Sequence, residues 1–305
     1  MISMNKFILL LFVFMASLSS FSSNTVVLGA EQPKQYLPQL NGKRVALLSN
    51  HTGIVIQGKD TIHTLDLLLN HGMNVTAIFS PEHGFRGTAR EGEHVASSVD
   101  EKTGIPILSL YDGKSYRPSK EAMATFDILI TDIQDVGLRF YTYYITMYRL
   151  MHACAQDNKQ FIVFDRPNPN GYYVDGPILD MKHQSGVGAL PIPVVHGMTL
   201  GELALMINGE NWLNDSLKVD LTIIPCKNYT HQTLYRLPIA PSPNLRNMLS
   251  IYLYPAVCLF EATPVSLGRG THKPFLCYGH PNFNAPRTEA STYGPAITFT
   301  PNQST

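Results

Sequence analysis

The sequence lacks an excess of either charge, since 23 Lys and Arg residues balance 23 Asp and Glu residues and the pI is about 7.2. Without a basic surplus to attract a phosphate backbone, nucleic-acid binding is not expected. Only 15% of the residues are charged, whereas 44% are hydrophobic, a composition that builds a packed core and excludes wholesale disorder. A chain of 305 residues is long enough for one large domain, or for a large domain with a smaller one.

Metal-binding patterns are also missing. The chain has four widely separated cysteines and no Cys-x-x-Cys pair, which leaves a zinc ribbon or a thioredoxin-type site unsupported. Four histidines that draw attention lack His-x-x-x-His or His-Glu-x-x-His spacing; they are His51, His83, His94 and His196. We therefore expect hydrogen-bonding roles for these histidines and no metal cofactor.

The phosphate-binding loops of nucleotide enzymes do not occur either. No Gly-x-Gly-x-x-Gly follows the first predicted strand, which ends in Asn50-His51-Thr52-Gly53, and no Walker A loop is found. The absence of Gly-x-Ser-x-Gly argues against a serine α/β-hydrolase. The predicted sheet thus resembles a nucleotide-binding sheet without the phosphate-binding loop, which leaves an oxidoreductase with a divergent dinucleotide loop as a weaker alternative, and a nucleophilic serine of the hydrolase type is not expected.

The N-terminus has the pattern of an export signal. Lys6 precedes an apolar run over residues 7–15, and a small, polar stretch follows over 16–23. The apolar run is short for a membrane span, so we predict a cleaved signal peptide over 1–30 rather than an uncleaved anchor. Cleavage near Ala30 is favoured, with a site around 22–24 nearly as good. The pattern predicts an exported protein, periplasmic or secreted, without a stable membrane anchor.

Short apolar runs alternate with stretches of helical periodicity through the first two thirds of the chain. Strands are predicted over 44–49, 74–79, 106–110, 127–131 and 161–164. Helices are predicted over 60–71, 119–126 and 140–157. Strands that alternate with helices indicate an α/β fold with a mostly parallel, Rossmann-like sheet and helices on both faces.

A capping box and a change of composition organise the second half of the chain. Thr199 and Glu202 have the spacing at which each side chain caps the other's backbone amide, so Glu202 is predicted to begin a helix rather than to act in chemistry. After Pro238 the α/β alternation gives way to proline-rich and aromatic segments. We predict an N-terminal domain over 36–240 and a smaller α+β domain over 241–305.

Polar side chains follow every predicted strand of the N-terminal domain. Because the carboxyl ends of parallel strands meet at one edge of an open sheet, these clusters predict a polar cleft there. Glu82, shielded by Phe85, is the strongest candidate for a proton donor, although an ion pair with Arg86 is the plainer explanation. Asp132 and Asp135 lie three residues apart after the fourth strand, and either could partner Glu82 or cap the loop.

Other candidates have equally plain alternatives. Arg139 could clamp an anionic group or begin a helix, and Asp165 with Arg166 could form a local ion pair that shapes a loop. Tyr141, nearest to a strand end in an aromatic run, is the tyrosine best placed to stack on a sugar ring.

The chain carries six distinctive motifs in a fixed order. They are Ser-Pro-Glu-His-Gly-Phe-Arg-Gly (80–87), Asp-Ile-Gln-Asp-Val-Gly-x-Arg-Phe-Tyr-Thr-Tyr (132–143), Asp-Arg-Pro-Asn-Pro (165–169), His-Gly-Met-Thr-x-Gly-Glu (196–202), Pro-Ser-Pro-Asn (241–244) and Phe-Glu-Ala-Thr-x-Val-Ser-x-Gly-Arg-Gly-Thr (260–271). Together these motifs resemble the exo-β-N-acetylmuramidase family of bacterial peptidoglycan recycling. The resemblance runs from about residue 41 to residue 275. It departs after Glu261, where the family usually has Gly-Thr-Asn rather than Ala262-Thr263-Pro264.

The resemblance implies a Rossmann-like N-terminal domain, a smaller C-terminal domain that is incomplete in this chain, and an active site between them. It implies release of terminal N-acetylmuramic acid from the non-reducing end of peptidoglycan fragments, with Glu82 as the candidate catalytic residue and no cofactor. Glycoside cleavage usually needs a second carboxylate, for which Asp135 and Glu261 are candidates. Recognition of the lactyl carboxylate requires a cation; Arg86, Arg139 and Arg269 are candidates, and Arg139 is favoured.

The full set of residues predicted to bind the saccharide is Asn50, His51, His83, Arg86, Asp132, Arg139, Tyr141, Asp165, Arg166, His196 and Arg269. A non-catalytic periplasmic protein that binds muropeptides or sugars on the same scaffold remains the alternative. The acid-rich cleft favours the enzyme, because sugar binders rely more on aromatic rings and amides.

Overall fold

This computed structural model describes residues 25–82, 84–85, 97–110, 117–213 and 217–283. The strands are β1 (Arg44–Ser49), β2 (Ile54–Gln57), β3 (Asp60–His63), β4 (Asn74–Ser80), β5 (Ser98–Val99), β6 (Pro106–Ser109), β7 (Ile128–Asp132), β8 (Gln160–Phe164) and β9 (Asp220–Ile224). The α-helices are α1 (Pro33–Leu40), α2 (Thr64–Asn70), α3 (Lys120–Met123), α4 (Tyr143–Gln156), α5 (Leu200–Gly209) and α6 (Met248–Val257). Short 3₁₀ helices lie at Gly29–Glu31, Met181–His183 and Cys258–Ala262.

Seven strands form one sheet in the order β5-β6-β4-β1-β7-β8-β9. Its neighbouring strands run parallel except for β5, which pairs antiparallel with β6. If the parallel strands alone are counted along the chain, their order is 3-2-1-4-5-6, the doubly wound Rossmann order. The predicted α/β class and mostly parallel sheet are confirmed.

Alternate residues of the central strands supply two cores, one on each face of the sheet. In β1, Ala46 and Leu48 belong to the core that contains α4 and α5, whereas Val45 and Leu47 belong to the core that contains α1 and α2. All four side chains are fully buried. Strands with both faces covered by helices read as continuous apolar runs, which is why RVALLS could be recognised in the sequence.

The helix predicted over 60–71 is wrong in its first third. Residues Asp60–His63 form β3, which pairs antiparallel with β2 through a turn at Gly58, and α2 begins only at Thr64. Ile62 fits the helical spacing of the leucines that follow, yet it pairs with Val55 across the hairpin. A short segment satisfies both periodicities, and the tertiary pairing decides between them.

The predicted capping box at the start of α5 is confirmed. The Thr199 hydroxyl accepts a hydrogen bond from the Glu202 amide, and the Glu202 carboxylate accepts one from the Thr199 amide. The exposed Glu202 carboxylate also lies 2.9 Å from Nε2 of His231.

The segment after residue 240 packs against the carboxyl edge of the sheet. The Pro241 carbonyl accepts hydrogen bonds from the hydroxyls of Tyr141 and Tyr143. The Tyr254 ring, on α6, packs edge-on against Tyr141 and against Phe275. Within the part of the chain that the structure describes, no helix is long and apolar enough to cross a membrane.

Candidate active site

The carboxyl ends of β1, β7 and β8 meet at the switch point of the sheet, where the chain order of the strands reverses. Arg166 and Asp132 form an ion pair there, with Nε 2.5 Å from Oδ1 and Nη2 3.0 Å from Oδ2. Nη2 also donates to the Ile54 carbonyl, and the Thr64 hydroxyl donates to Asp132. Both charged side chains are buried and directed at one another, so the described contacts give them the role of joining strand ends.

The loop that follows β7 is shaped by Asp135 and Gly137. Asp135 Oδ1 accepts from the Gly137 amide at 2.7 Å, and Gly137 has a φ of +79°. A Cβ atom at residue 137 would lie 2.3 Å from Nδ2 of Asn168, so glycine is required there. Burial raises the pKa of Asp135 to about 7. This carboxyl group lies close to Tyr141 and Tyr143 without lining the cleft described next.

A cleft of about 300 Å³ lies between this edge of the sheet and the segment after residue 240. Its walls carry two carboxylates, one guanidinium group and several aromatic rings. The residues that line it are Glu82, Phe140, Tyr141, Thr142, Tyr143, Val187, Ser242, Asn244, Leu245, Tyr254, Glu261, Arg269 and Phe275. Four of the residues predicted from the sequence, Glu82, Tyr141, Glu261 and Arg269, therefore come together in one cleft.

Glu82 enters the cleft from the loop that follows β4. Its Oε2 atom accepts a hydrogen bond from the Thr142 hydroxyl at 2.5 Å. Thr142 precedes α4, so the loops after β4 and β7 together fix the position of the Glu82 carboxylate.

Glu261 enters the same cleft from the 3₁₀ helix after α6. Burial raises the pKa of Glu261, a hydrogen bond from the Tyr254 hydroxyl opposes that rise, and the nearby charge of Glu82 adds to it. Arg269 Nη1 lies 2.8 Å from Oε1 of Glu261, and this cation also favours the carboxylate form. The protonation of Glu261 therefore depends on whether Arg269 remains its partner.

Several predicted residues lie behind the cleft and bond to the protein itself. Arg139 donates from Nη1 to the carbonyls of Pro177 and Ile192, at 2.8 and 2.7 Å. Asp165 accepts from the Thr199 hydroxyl and the Gly201 amide, which caps α5, and burial raises its pKa to about 6.

His196, Asn50 and His51 are also held by local contacts. His196 Nδ1 accepts from the Met198 amide, and burial lowers the pKa of its imidazole to about 4. Asn50 is buried and accepts from the amide and hydroxyl of Thr52. His51 Nε2 donates to the Ala240 carbonyl at 2.8 Å, which ties the end of β1 to the segment that leads into the cleft wall.

His83 and Arg86, two further predicted binding residues, lie outside the described residues, as do most of the predicted signal peptide and residues 284–305. Among the side chains that are described, no group of three or more histidines, cysteines or acids is arranged to hold a metal ion.

Three residues that line the cleft, Thr142, Tyr254 and Phe275, were not predicted from the sequence. Thr142 lies within the motif over residues 132–143, and this motif is the signal from which its place in the site could have been predicted. Tyr254 and Phe275 reach the cleft only through the packing of α6 and the segment after it, for which the local sequence gives no signal.

The chain belongs to the exo-β-N-acetylmuramidase NamZ family. Residues 45–249 match the family model described as "Exo-beta-N-acetylmuramidase NamZ, N-terminal", and residues 252–305 match the model of the C-terminal part. The two matches meet within α6, close to the cleft wall.

Relatives support the same assignment. The chain is 44% identical over 273 residues to the peptidoglycan beta-N-acetylmuramidase NamZ of Bacillus subtilis, a match that covers 87% of this chain and 64% of the relative. The chain thus spans less than two thirds of that relative's length. Crystal structures of two DUF1343 family proteins from Bacteroides fragilis are similar. One is 63% identical with a TM-score of 0.77, covering 86% of this chain and 69% of the other. The second is 36% identical with a TM-score of 0.75, covering 83% and 65%.

Proposed function

We propose that this protein is an exo-acting glycoside hydrolase that releases terminal N-acetylmuramic acid from the non-reducing end of peptidoglycan fragments. The observation that carries the proposal is that Glu82 and Glu261 line one cleft. Most glycosidases use two carboxyl groups, one to protonate the leaving oxygen and one as base or nucleophile. The names of the family and of the B. subtilis relative support this substrate class.

The environments of the two carboxyl groups support different roles for them. Glu82 accepts a hydrogen bond from the Thr142 hydroxyl, which holds its carboxyl group in the cleft, and we assign it as the base or nucleophile. Burial and the charge of Glu82 raise the pKa of Glu261, although Arg269 pairs with it in this structure, so we assign Glu261 as the proton donor. This exchanges the role expected for Glu82 from the sequence while keeping Glu82 in the chemistry.

The aromatic rings of the cleft complete the site. Tyr141 and Tyr143 have their hydroxyls fixed by the Pro241 carbonyl, which holds their rings in the wall. Tyr143 is almost fully buried and supports the wall, whereas the more exposed Phe140 ring offers an apolar face against which the C–H groups of a sugar can pack. Asn244 adds an amide, a group that can both donate to and accept from sugar hydroxyls.

Hydrolysis of muramic acid-terminated peptidoglycan fragments tests the proposal. Purified protein should release N-acetylmuramic acid, and Glu82→Gln should lower the rate by about two to four decades. Glu210→Gln, which changes an exposed glutamate at the end of α5, is the matched control and should leave the rate unchanged. Binding without hydrolysis by the wild type would instead support the saccharide-binding alternative.

A further inference from the structure

We infer that Arg269 binds the lactyl carboxylate of the muramic acid residue, and that this carboxylate replaces Glu261 as the ion-pair partner of Arg269. This inference rests on the proposed function and names the group that selects its substrate. N-acetylmuramic acid differs from N-acetylglucosamine by that carboxylate, so discrimination requires a cation within reach of the bound sugar.

Arg269 is the arginine among the described residues that lines the cleft. Its side chain is 31% exposed, so a ligand in the cleft can reach it. Its Nη1 atom already holds the carboxylate of Glu261 at 2.8 Å, which demonstrates that a carboxylate fits the position. A guanidinium group has five donors in a planar fork that suits a carboxylate.

The other described candidates are occupied within the protein. Arg139, favoured by the sequence reasoning, is only 6% exposed and holds two main-chain carbonyls that fix the loop after β8. Arg166 is committed to Asp132 and to the Ile54 carbonyl. A substrate carboxylate would have to break buried contacts to reach either group, which costs more than exchange at a partly exposed pair.

Electrostatic repulsion couples the exchange at Arg269 to the protonation of Glu261. The cleft already holds Glu82 and Glu261, and a third negative charge is unfavourable there unless one charge is removed. Among the residues that the structure describes, the titratable groups that face Glu261 are Glu82, Tyr254, Cys258 and Arg269. When the substrate takes Arg269, Glu261 keeps its acidic neighbour but loses its cation, and it takes up one proton from solvent. Glu261, which the substrate displaces from Arg269, is then the protonated acid that the hydrolysis requires.

A glucosaminide has no carboxylate to offer, so the Arg269–Glu261 pair stays closed and Glu261 stays charged. The exchange therefore predicts selectivity in both binding and turnover. It also separates Arg269 from a merely structural role, because loss of a structural ion pair would weaken both sugars alike.

Calorimetric titration with the methyl β-glycosides of N-acetylmuramic acid and N-acetylglucosamine tests the inference. Wild-type protein should prefer the muramide. Arg269→Gln should weaken muramide binding by about tenfold or more, the loss of a charge-assisted bond, without changing the glucosaminide. Arg269→Lys keeps the positive charge but not the planar fork of donors, so its affinity for the muramide should lie between those of wild type and Arg269→Gln. It replaces Arg269→Gln in the test if the glutamine variant fails to fold. Arg44→Gln, at the opposite edge of the sheet, is the control.

Titrations in two buffers with different ionisation enthalpies measure the proton. Wild-type protein should take up a proton with the muramide and none with the glucosaminide, and Glu261→Gln should abolish the uptake. Equal losses on both sugars in the Arg269 variants, or binding of the muramide without proton uptake, would overturn the inference. Arg269-dependent selectivity in a protein that does not hydrolyse fragments would remove the proposed hydrolysis and leave the recognition role in place.

Discussion

Arg166 and Asp132 form a buried, two-pronged ion pair at the switch point of the sheet, which links the end of β7 to the loop after β8. Removing one partner of such a pair leaves a buried charge alone. We therefore expect Asp132→Asn to lower the free energy of unfolding by about 3 to 5 kcal/mol, measured by urea denaturation. Asp127→Asn, which breaks the exposed pair with Arg44 at the other end of the sheet, should cost little.

A double variant that removes both charges of the Arg166–Asp132 pair provides a second test. Arg166→Met combined with Asp132→Asn should cost less than the sum of the two single changes, because each single change leaves one buried charge uncompensated and the double variant leaves none. If Asp132→Asn proved nearly neutral for stability while abolishing saccharide binding, the substrate-binding role predicted from the sequence would be favoured instead.

The acid and base roles make opposite predictions for the leaving group. Glu261→Gln should lower the rate by about two to four decades on a saccharide leaving group, and by much less on a nitrophenolate, which needs little protonation. Glu82→Gln should lower both rates by similar factors, since the second carboxylate acts on the sugar and not on the leaving oxygen. Steady-state rates on the two substrates measure this.

The reverse pattern, with leaving-group dependence confined to Glu82→Gln, would return the donor role to Glu82 as the sequence reasoning proposed. Thr142→Val supplies a finer comparison. It removes the hydroxyl that donates to Glu82 while preserving the shape of the side chain, so its effect should follow that of Glu82→Gln at smaller size.

Asp135 should make stability depend on pH. Burial raises the pKa of its carboxyl group from 3.8 to about 7, so between these values the folded protein holds a proton that the unfolded chain has lost. The stability that Asp135 contributes is therefore complete below pH 4 and is lost as the pH rises to 7. Relative to wild type, Asp135→Asn should gain about 2.5 kcal/mol in unfolding free energy between pH 5 and pH 7.5.

Asp165→Asn is the matched control for that measurement. Burial raises the pKa of Asp165 to about 6. The gain in unfolding free energy of Asp165→Asn relative to wild type should therefore be nearly complete at a pH about one unit lower than that of Asp135→Asn. A difference between Asp135→Asn and wild type that stays constant from pH 5 to pH 7.5 would show that Asp135 is ionised in the folded protein.

The sheet could be predicted from the sequence because its strands are buried on both faces. Runs such as FIVF and DILIT carry no competing helical pattern over their short length, and the strands formed where they were expected. The edge strand β9 was not predicted, because its residues are only half buried and its apolar run is interrupted by Thr222.

The cleft was less accessible to sequence reasoning than the sheet. A polar residue after a parallel strand can face the cleft, as Glu82 does, or turn inward, as Asp132 and Asp165 do. The choice is made by partners distant in sequence, here Arg166 and Gly201 respectively. Motif order identified Glu261 as a candidate, but its pairing with Arg269 depends on the fold of the segment after α6.

The start of the mature protein can be predicted from the packing of residues 27–30. Val27 exchanges main-chain hydrogen bonds with Lys227, the Gly29 amide donates to the Asp165 carbonyl, and the Ala30 carbonyl accepts from the Tyr36 hydroxyl. Cleavage after Ala30 would remove all of residues 27–30 and their contacts. We therefore expect export to be followed by cleavage at the upstream site, so that the mature chain begins at about Asn24 or Thr25.

Intact mass and N-terminal sequencing of protein purified from the cell envelope measure the position. Stability gives an independent check. Recombinant protein that begins at Glu31 should unfold at a lower urea concentration than protein that begins at Asn24, because it lacks the bonds to Lys227 and Asp165. A mature chain that begins at Glu31 and is as stable as the longer form would contradict the prediction, and an envelope protein that retains Met1 would contradict cleavage altogether.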